Sequence, residues 1–130
     1  LGSLLSARCL RSNGCNDIFA DLNLTHQCQC CQPSSSLRPD IVWFGEMPKY
    51  MQQIETLLYA ADVFISIGTS GTVYPAAGFV SQANQYGAYS IELNLEPSSG
   101  QNEFAEKHYG PASELVGQFV DTLLKGHKFD

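Results

Sequence analysis

Positive charge is scarce in this sequence. Seven Lys and Arg face thirteen Asp and Glu, for a net charge of −6 at pH 7. A nucleic-acid or anionic-membrane binder needs a basic face, so neither partner is expected. Long apolar runs are missing too, and none approaches the roughly 20 residues of a membrane span. No basic start followed by an apolar core opens the chain, so no secretion signal is expected. Leu1 is not a methionine, as in a processed, trimmed or partial chain. Charged residues make up 15% against 44% hydrophobic, which points to buried segments rather than a disordered tail. The 130 residues are enough for one domain with its own core.

Cysteine is absent after residue 31, yet five occur before it: Cys9, Cys15, Cys28, Cys30 and Cys31. An odd number without a secretion signal reads less as a disulfide framework than as a metal site in a reducing compartment. Cys28-x-x-Cys31 has the spacing of a metal knuckle, and Cys9 lies far enough upstream to belong to another. A strict zinc ribbon would place a partner at position 12, which is Ser12. Cys15 could substitute and Cys30 is a spare. A zinc held this way would be structural, since a tetrahedral thiolate site has no open position.

The acidic excess also has a place. Up to Asp40 three Arg balance three Asp, so the surplus lies entirely downstream. Residues 1–37 read as a small cysteine-bearing module with weak periodicity. Asn13-Gly14 signals a turn and Pro33-Ser34-Ser35-Ser36 a loop. From residue 38 to 130 the pattern alternates between strand and helix. Ile41-Val42-Trp43-Phe44 reads as a strand buried on both faces. Met51, Ile54, Leu57, Leu58 and Ala61 recur at helical spacing. Val63–Ile67 and Tyr89–Leu93 read as strands. A helix between them opens near Pro75 and ends at Gly87. After a polar loop, Leu115, Val116, Phe119, Val120, Leu123 and Leu124 stripe a last helix. The predicted class is α/β, a partial Rossmann-like parallel sheet with helices, preceded by the small zinc module.

Two strand ends carry the candidate chemistry. Gly68-Thr69-Ser70 follows the strand at 63–67, and Asn94-Leu95-Glu96 ends the strand at 89–93. In an open parallel sheet, ligands bind at the carboxyl ends of strands. Glycine lets backbone approach a phosphate, and an amide and a carboxylate can grip ribose hydroxyls. No Lys follows Gly71 in a Walker frame, and the full dinucleotide fingerprint is missing. His26 adjoins Cys28 and could be a metal ligand, but reads rather as a surface residue. His108 and His127 lack the partner pattern of a general base and also read as surface residues.

Arg38-Pro39-Asp40-Ile41-Val42-Trp43-Phe44-Gly45-Glu46-Met47-Pro48 resembles the sirtuin signature that follows the zinc module. Gly68-Thr69-Ser70 with Val73-Tyr74-Pro75-Ala76-Ala77, then Asn94-Leu95-Glu96, then Gly110-Pro111-Ala112-Ser113, resemble the next blocks in order. The closest match is the bacterial-type class III sirtuins, NAD-dependent protein-lysine deacylases. The resemblance implies NAD and zinc as bound groups and acyl-lysine proteins as partners. By this resemblance Gly68, Thr69 and Ser70 contact the NAD phosphate and ribose. Asn94, Leu95 and Glu96 hold the adenosine ribose, and Ala112 offers its backbone near adenine. Phe44, Gly45 and Glu46 line the acyl-lysine channel and pair with substrate backbone. Cys9, Cys28 and Cys31 match zinc positions.

The same resemblance puts the family's His-Gly pair at Leu1-Gly2. The glycine-rich NAD loop and the residues that select acidic acyl groups match nothing in these 130 residues. No catalytic residue is therefore assigned, and the chain alone is expected to be an inactive, cytoplasmic C-terminal portion. General-base help is typically worth about 10²–10⁴-fold in rate. The alternative is a non-catalytic, zinc-stabilised module that binds a nucleotide or a protein.

Overall fold

A computed structural model describes residues 2–12, 16–18 and 22–126, with residues 16–18 described by backbone alone. Leu1, Asn13-Gly14, Cys15 and His127 lie outside the described residues. The chain divides into two compact units, residues 1–50 and 51–130.

The first unit is built on an antiparallel sheet. β1 (Gly2–Cys9) lies at its centre, with β2 (Asn16–Ile18) on one side and β3 (Leu37–Ile41) on the other. The strand expected at 41–44 therefore starts four residues earlier, over Leu37–Ile41. It pairs with β1, not with the parallel strands of the second unit. The physical reason lies in the side chains. Trp43 and Phe44 are exposed, so the apolar run continues past the strand into a turn. Pro39, which cannot donate to a ladder, is tolerated because β3 is an edge strand. Beyond β1, Leu10 N–H donates to Ser36 O at 3.1 Å and Cys28 N–H to Ser35 O at 2.9 Å. These bonds fold the cysteine segment back over the end of β1.

The second unit is the parallel α/β part. β4 (Val63–Ile67), β5 (Tyr89–Asn94) and β6 (Glu106–Tyr109) form a parallel sheet with β5 in the middle. α1 (Met51–Ala60) precedes β4. A 3-10 turn at Ala76–Gly78 leads into α2 (Phe79–Gln85), and α3 (Ala112–Leu124) follows β6. Period-2 alternation in β5 sends side chains to opposite faces. Ile91 and Leu93 pack on Phe119 of α3, with Leu115, Val116 and Leu123 around them. A second cluster joins Leu58 of α1, Ala83 of α2 and Ala88, flanked by Ile54, Phe64 and Phe79. Burying such side chains is worth about 1.5–3 kcal/mol each, so both faces of the sheet are fastened to helices. β6 stands where a polar loop was expected. Its sequence Glu-Lys-His-Tyr has no apolar alternation, and as an edge strand it needs none. No helix of the described residues is long and apolar enough to cross a membrane.

Candidate functional site

β4 and β5 run in register, Ile67 beside Leu93, so their carboxyl ends reach the same level. Gly68 N–H donates to Leu93 O at 3.0 Å and continues the ladder one step past β4. Asn94, the last residue of β5, then ties the two loops together. Its Nδ2 donates to Thr69 O at 2.6 Å, and its Oδ1 accepts Leu95 N–H at 3.1 Å. A second tie runs from Ser99 N–H to Ser70 O at 3.0 Å. Gly71 has φ +65° and packs close to Ser98, so this crossing requires a residue without Cβ. The result is an open cleft of about 390 Å³, lined by Gly68, Thr69, Ser70 and Thr72 from one loop and Asn94 to Pro97 and Ser99 from the other. Six of the seven cofactor-binding residues expected from sequence meet here. Ala112 does not line the cleft. It is the first residue of α3, two positions past Gly110, whose N–H donates to Asn94 O at 2.9 Å.

Beneath the cleft lies a residue that sequence reasoning passed over. Glu92 is fully buried on β5, between Ile91 and Leu93. Its carboxylate accepts Ser98 N–H at 3.0 Å and the Tyr109 hydroxyl at 2.9 Å. Burial pushes the Tyr109 phenol above its ordinary pKa, and the Glu92 carboxylate adds to the shift. The sequence did hold a signal, a charged residue inside an apolar strand, since buried charge must be partnered. His108, read as a surface residue, is half-buried on β6 beside Glu106 and Phe119.

In the first unit the cysteines converge. The Sγ atoms of Cys9, Cys28, Cys30 and Cys31 all lie within 4.8 Å of one another. Cys9 to Cys31 is 3.6 Å and Cys30 to Cys31 is 3.8 Å. A tetrahedral zinc with bonds of about 2.3 Å needs sulfurs about 3.8 Å apart, so this donor set fits zinc. The three expected ligands are joined by Cys30, and the Ser12 hydroxyl sits 3.2 Å from Cys30 Sγ. Amide donors point at the sulfurs, Arg11 N–H to Cys9 at 3.4 Å and Ser35 N–H to Cys28 at 3.2 Å. Burial raises the Cys9 thiol, but backbone N–H groups of Ser12 and Arg11 outweigh it and bring the pKa down to about 5. Cys31 is pushed up to about 12, first by its hydrogen bond with Cys9 and then by burial. His26 stands outside the cluster, its Nδ1 accepting Asn23 N–H at 3.1 Å.

The three residues expected to meet substrate occupy the turn after β3. Phe44 is 92% exposed, and Gly45 beside it is also exposed. Glu46 turns back toward the sheet, bonding Arg38, Arg8 and Trp43 N–H.

Comparison with known proteins decides the family. The Sir2 family profile matches residues 1–75. The chain belongs to the Sir2 family. It is 56% identical over 127 residues to an NAD-dependent protein deacylase of Escherichia coli K12, covering 98% of this chain and 46% of that protein. A Salmonella typhimurium protein of the same name is 54% identical over 125 residues, again 46% of its length. This chain thus spans about half the length of the curated relatives it matches. Among solved structures, a Sir2 homologue in complex with NAD superposes with a TM-score of 0.82 at 31% identity, covering 95% of this chain and 49% of that one. A Sir2 homologue mutant bound to 2′-O-acetyl ADP ribose gives 0.82 at 30% identity, covering 99% and 53%. The Sir2 assignment and the α/β sheet agree with the expectation from sequence.

Proposed function

We propose that this chain is the nucleotide-holding and substrate-docking part of an NAD-dependent protein-lysine deacylase, of deacetylase or desuccinylase type. One observation carries the reading. In a Sir2-family chain, the loops Gly68–Ser70 and Asn94–Glu96 line a single cleft at the carboxyl edge of a parallel sheet.

In this reading Gly68, Thr69 and Ser70 hold phosphate and ribose through backbone N–H groups and hydroxyls. Asn94, Leu95 and Glu96 hold the adenosine ribose, and the Ala112 backbone faces adenine. Phe44, Gly45 and Glu46 form the edge on which the acyl-lysine segment of a protein substrate lies as an added strand. NAD, when bound, would supply the ribose that takes the acyl group, so that acyl-lysine, NAD and water would give lysine, nicotinamide and O-acyl-ADP-ribose. The position matched to the family's general base is Leu1, which takes no proton. These 130 residues alone should bind the nucleotide without turning it over. Cys9, Cys28, Cys30 and Cys31 hold a structural zinc, and four close thiols suit a reducing, cytoplasmic setting.

Calorimetric titration of the 130-residue chain with ADP-ribose tests the nucleotide reading. Saturable one-to-one binding is expected, and its absence would overturn that reading. Metal analysis should find one zinc per chain.

A further inference from the structure

The register of the first sheet sets two arginines against each other. Arg8 of β1 lies directly opposite Arg38 of β3. Like charges in that position repel and destabilise a sheet. Glu46 supplies the anion between them. Its Oε2 accepts Arg8 Nη2 at 3.0 Å and Arg38 Nη2 at 3.0 Å, and its Oε1 pairs with Arg38 Nη1. The other charged groups facing this cluster are Asp40, 4.0 Å from Arg8 Nε, and Lys49, which pairs with Asp40.

The same carboxylate closes a turn. Glu46 N–H donates to Trp43 O at 3.1 Å, and Trp43 N–H donates back to Glu46 Oε2 at 3.0 Å. The two residues between them, Phe44 and Gly45, bulge outward. Gly45 has φ +84° with nothing within 4 Å of a would-be Cβ, so conformation rather than space calls for glycine. The Arg38 guanidinium also lies over the Trp43 ring at 5.8 Å.

We propose that Glu46 is a positioning residue: it uses the Arg8–Arg38 pair as a fixed anchor and holds the 43–46 turn so that Phe44 and Gly45 present the docking edge for an acyl-lysine peptide. The side chain of Glu46 is thus spent inside the protein, and substrate meets its neighbours. The docking half of this inference rests on the deacylase reading. The turn half does not.

Trp43 is the only tryptophan, so its emission and its amide resonance read the turn directly. In Glu46→Gln the charge that balances the arginines is lost. The Trp43 amide and emission should shift, and affinity for an acetyl-lysine peptide should fall about tenfold while ADP-ribose affinity stays unchanged. Glu46→Asp keeps the charge but falls one methylene short of the Trp43 amide. It should lose peptide affinity to a similar degree while melting near the wild-type temperature, and it decides the matter if the Gln variant does not fold. An unmoved Trp43 amide in the variants, or equal losses of peptide and ADP-ribose affinity, would overturn the proposal. A wild-type chain that binds ADP-ribose but no acetyl-lysine peptide would overturn the docking half alone, with Trp43 still deciding whether Glu46 holds the turn. A wild-type chain that binds the peptide but no ADP-ribose would instead fault the nucleotide reading.

Discussion

Between residues 1 and 50 the described buried side chains are Ala7, Cys9 and Cys28. Between 51 and 130 they include Leu58, Val80, Ile91, Leu93, Phe104 and Phe119. The second unit follows the ordinary rule of a sheet covered by apolar helix faces. The first has little apolar material to bury. It is organised at the end of β1, by sulfur at Cys9 and by the Arg8–Arg38–Glu46 cluster beside it. The two regions should therefore fail in different ways and under different conditions. Each unit also holds its candidate site by different means. The cleft hangs on the sheet edge in the second, and the turn hangs on paired charges in the first.

The largest separation of the two should come from the metal. Chelation, or Cys28→Ser, should cost the first unit its fold, because a structural zinc site contributes folding free energy outright. Amide resonances of residues 2–41 should collapse toward random-coil positions while those of β4, β5 and α3 stay in place. If both units lost structure together, the division into independently held regions would be wrong.

The converse test is a cavity in the second unit. Phe119 fills the α3 face of the sheet against Ile91 and Leu93. Phe119→Ala should destabilise that unit by about 3–5 kcal/mol in denaturant unfolding. The zinc content and Trp43 emission of the first unit should not change. A matching loss in the first unit would show that the two share one cooperative core.

How much of this was legible depended on which physics held each part. The apolar runs at 63–67 and 89–93 and the stripes of α1 and α3 announced the second unit, because burial leaves a periodic trace. β6 left none, since Glu106-Lys107-His108-Tyr109 is a polar edge strand that relies on β5 for its hydrogen bonds. In the first unit the run Ile41–Phe44 misled, because exposed Trp43 and Phe44 look in sequence like core residues. The strand Leu37–Ile41 is fixed by partners 28 to 39 residues upstream, which local pattern cannot reveal. The cleft was readable as two strand ends followed by small polar residues. Its support was not, since Glu92, Ser98 and Tyr109 become one group only after folding. Cys30 likewise earned no ligand role from spacing, yet its sulfur joins the other three.

A smaller effect should appear at the cleft. Asn94→Ala removes the amide bridge to Thr69 O and the acceptor for Leu95 N–H. Each hydrogen bond is worth roughly 0.5–1.5 kcal/mol, so ADP-ribose affinity should fall about tenfold with only a modest change in melting temperature. Calorimetry on both proteins would check it. Unchanged affinity would mean that the bridge does not shape the ligand site.

The finest contrast lies in pH. Glu46 is held below its ordinary value near 4.5, first by the Trp43 amide and then by Arg38, with Arg8 adding to it. Its contribution is complete above that ordinary value and is lost as pH falls through the lower folded one. Trp43 emission should thus report loosening of the first unit only in acid below the usual carboxylate range. Tyr109 runs the other way. Its folded pKa lies above the ordinary 10, so its contribution is complete below 10 and is lost as pH rises through the folded value. Alkali should therefore loosen the Glu92 anchor under the cleft. Tyr109→Phe should cost about 1 kcal/mol at neutral pH and abolish the alkaline step in the Ser98 amide resonance. If that step persisted in Tyr109→Phe, the second unit's alkaline sensitivity would belong to another group, and Glu92 would hold Ser98 without help from the phenol.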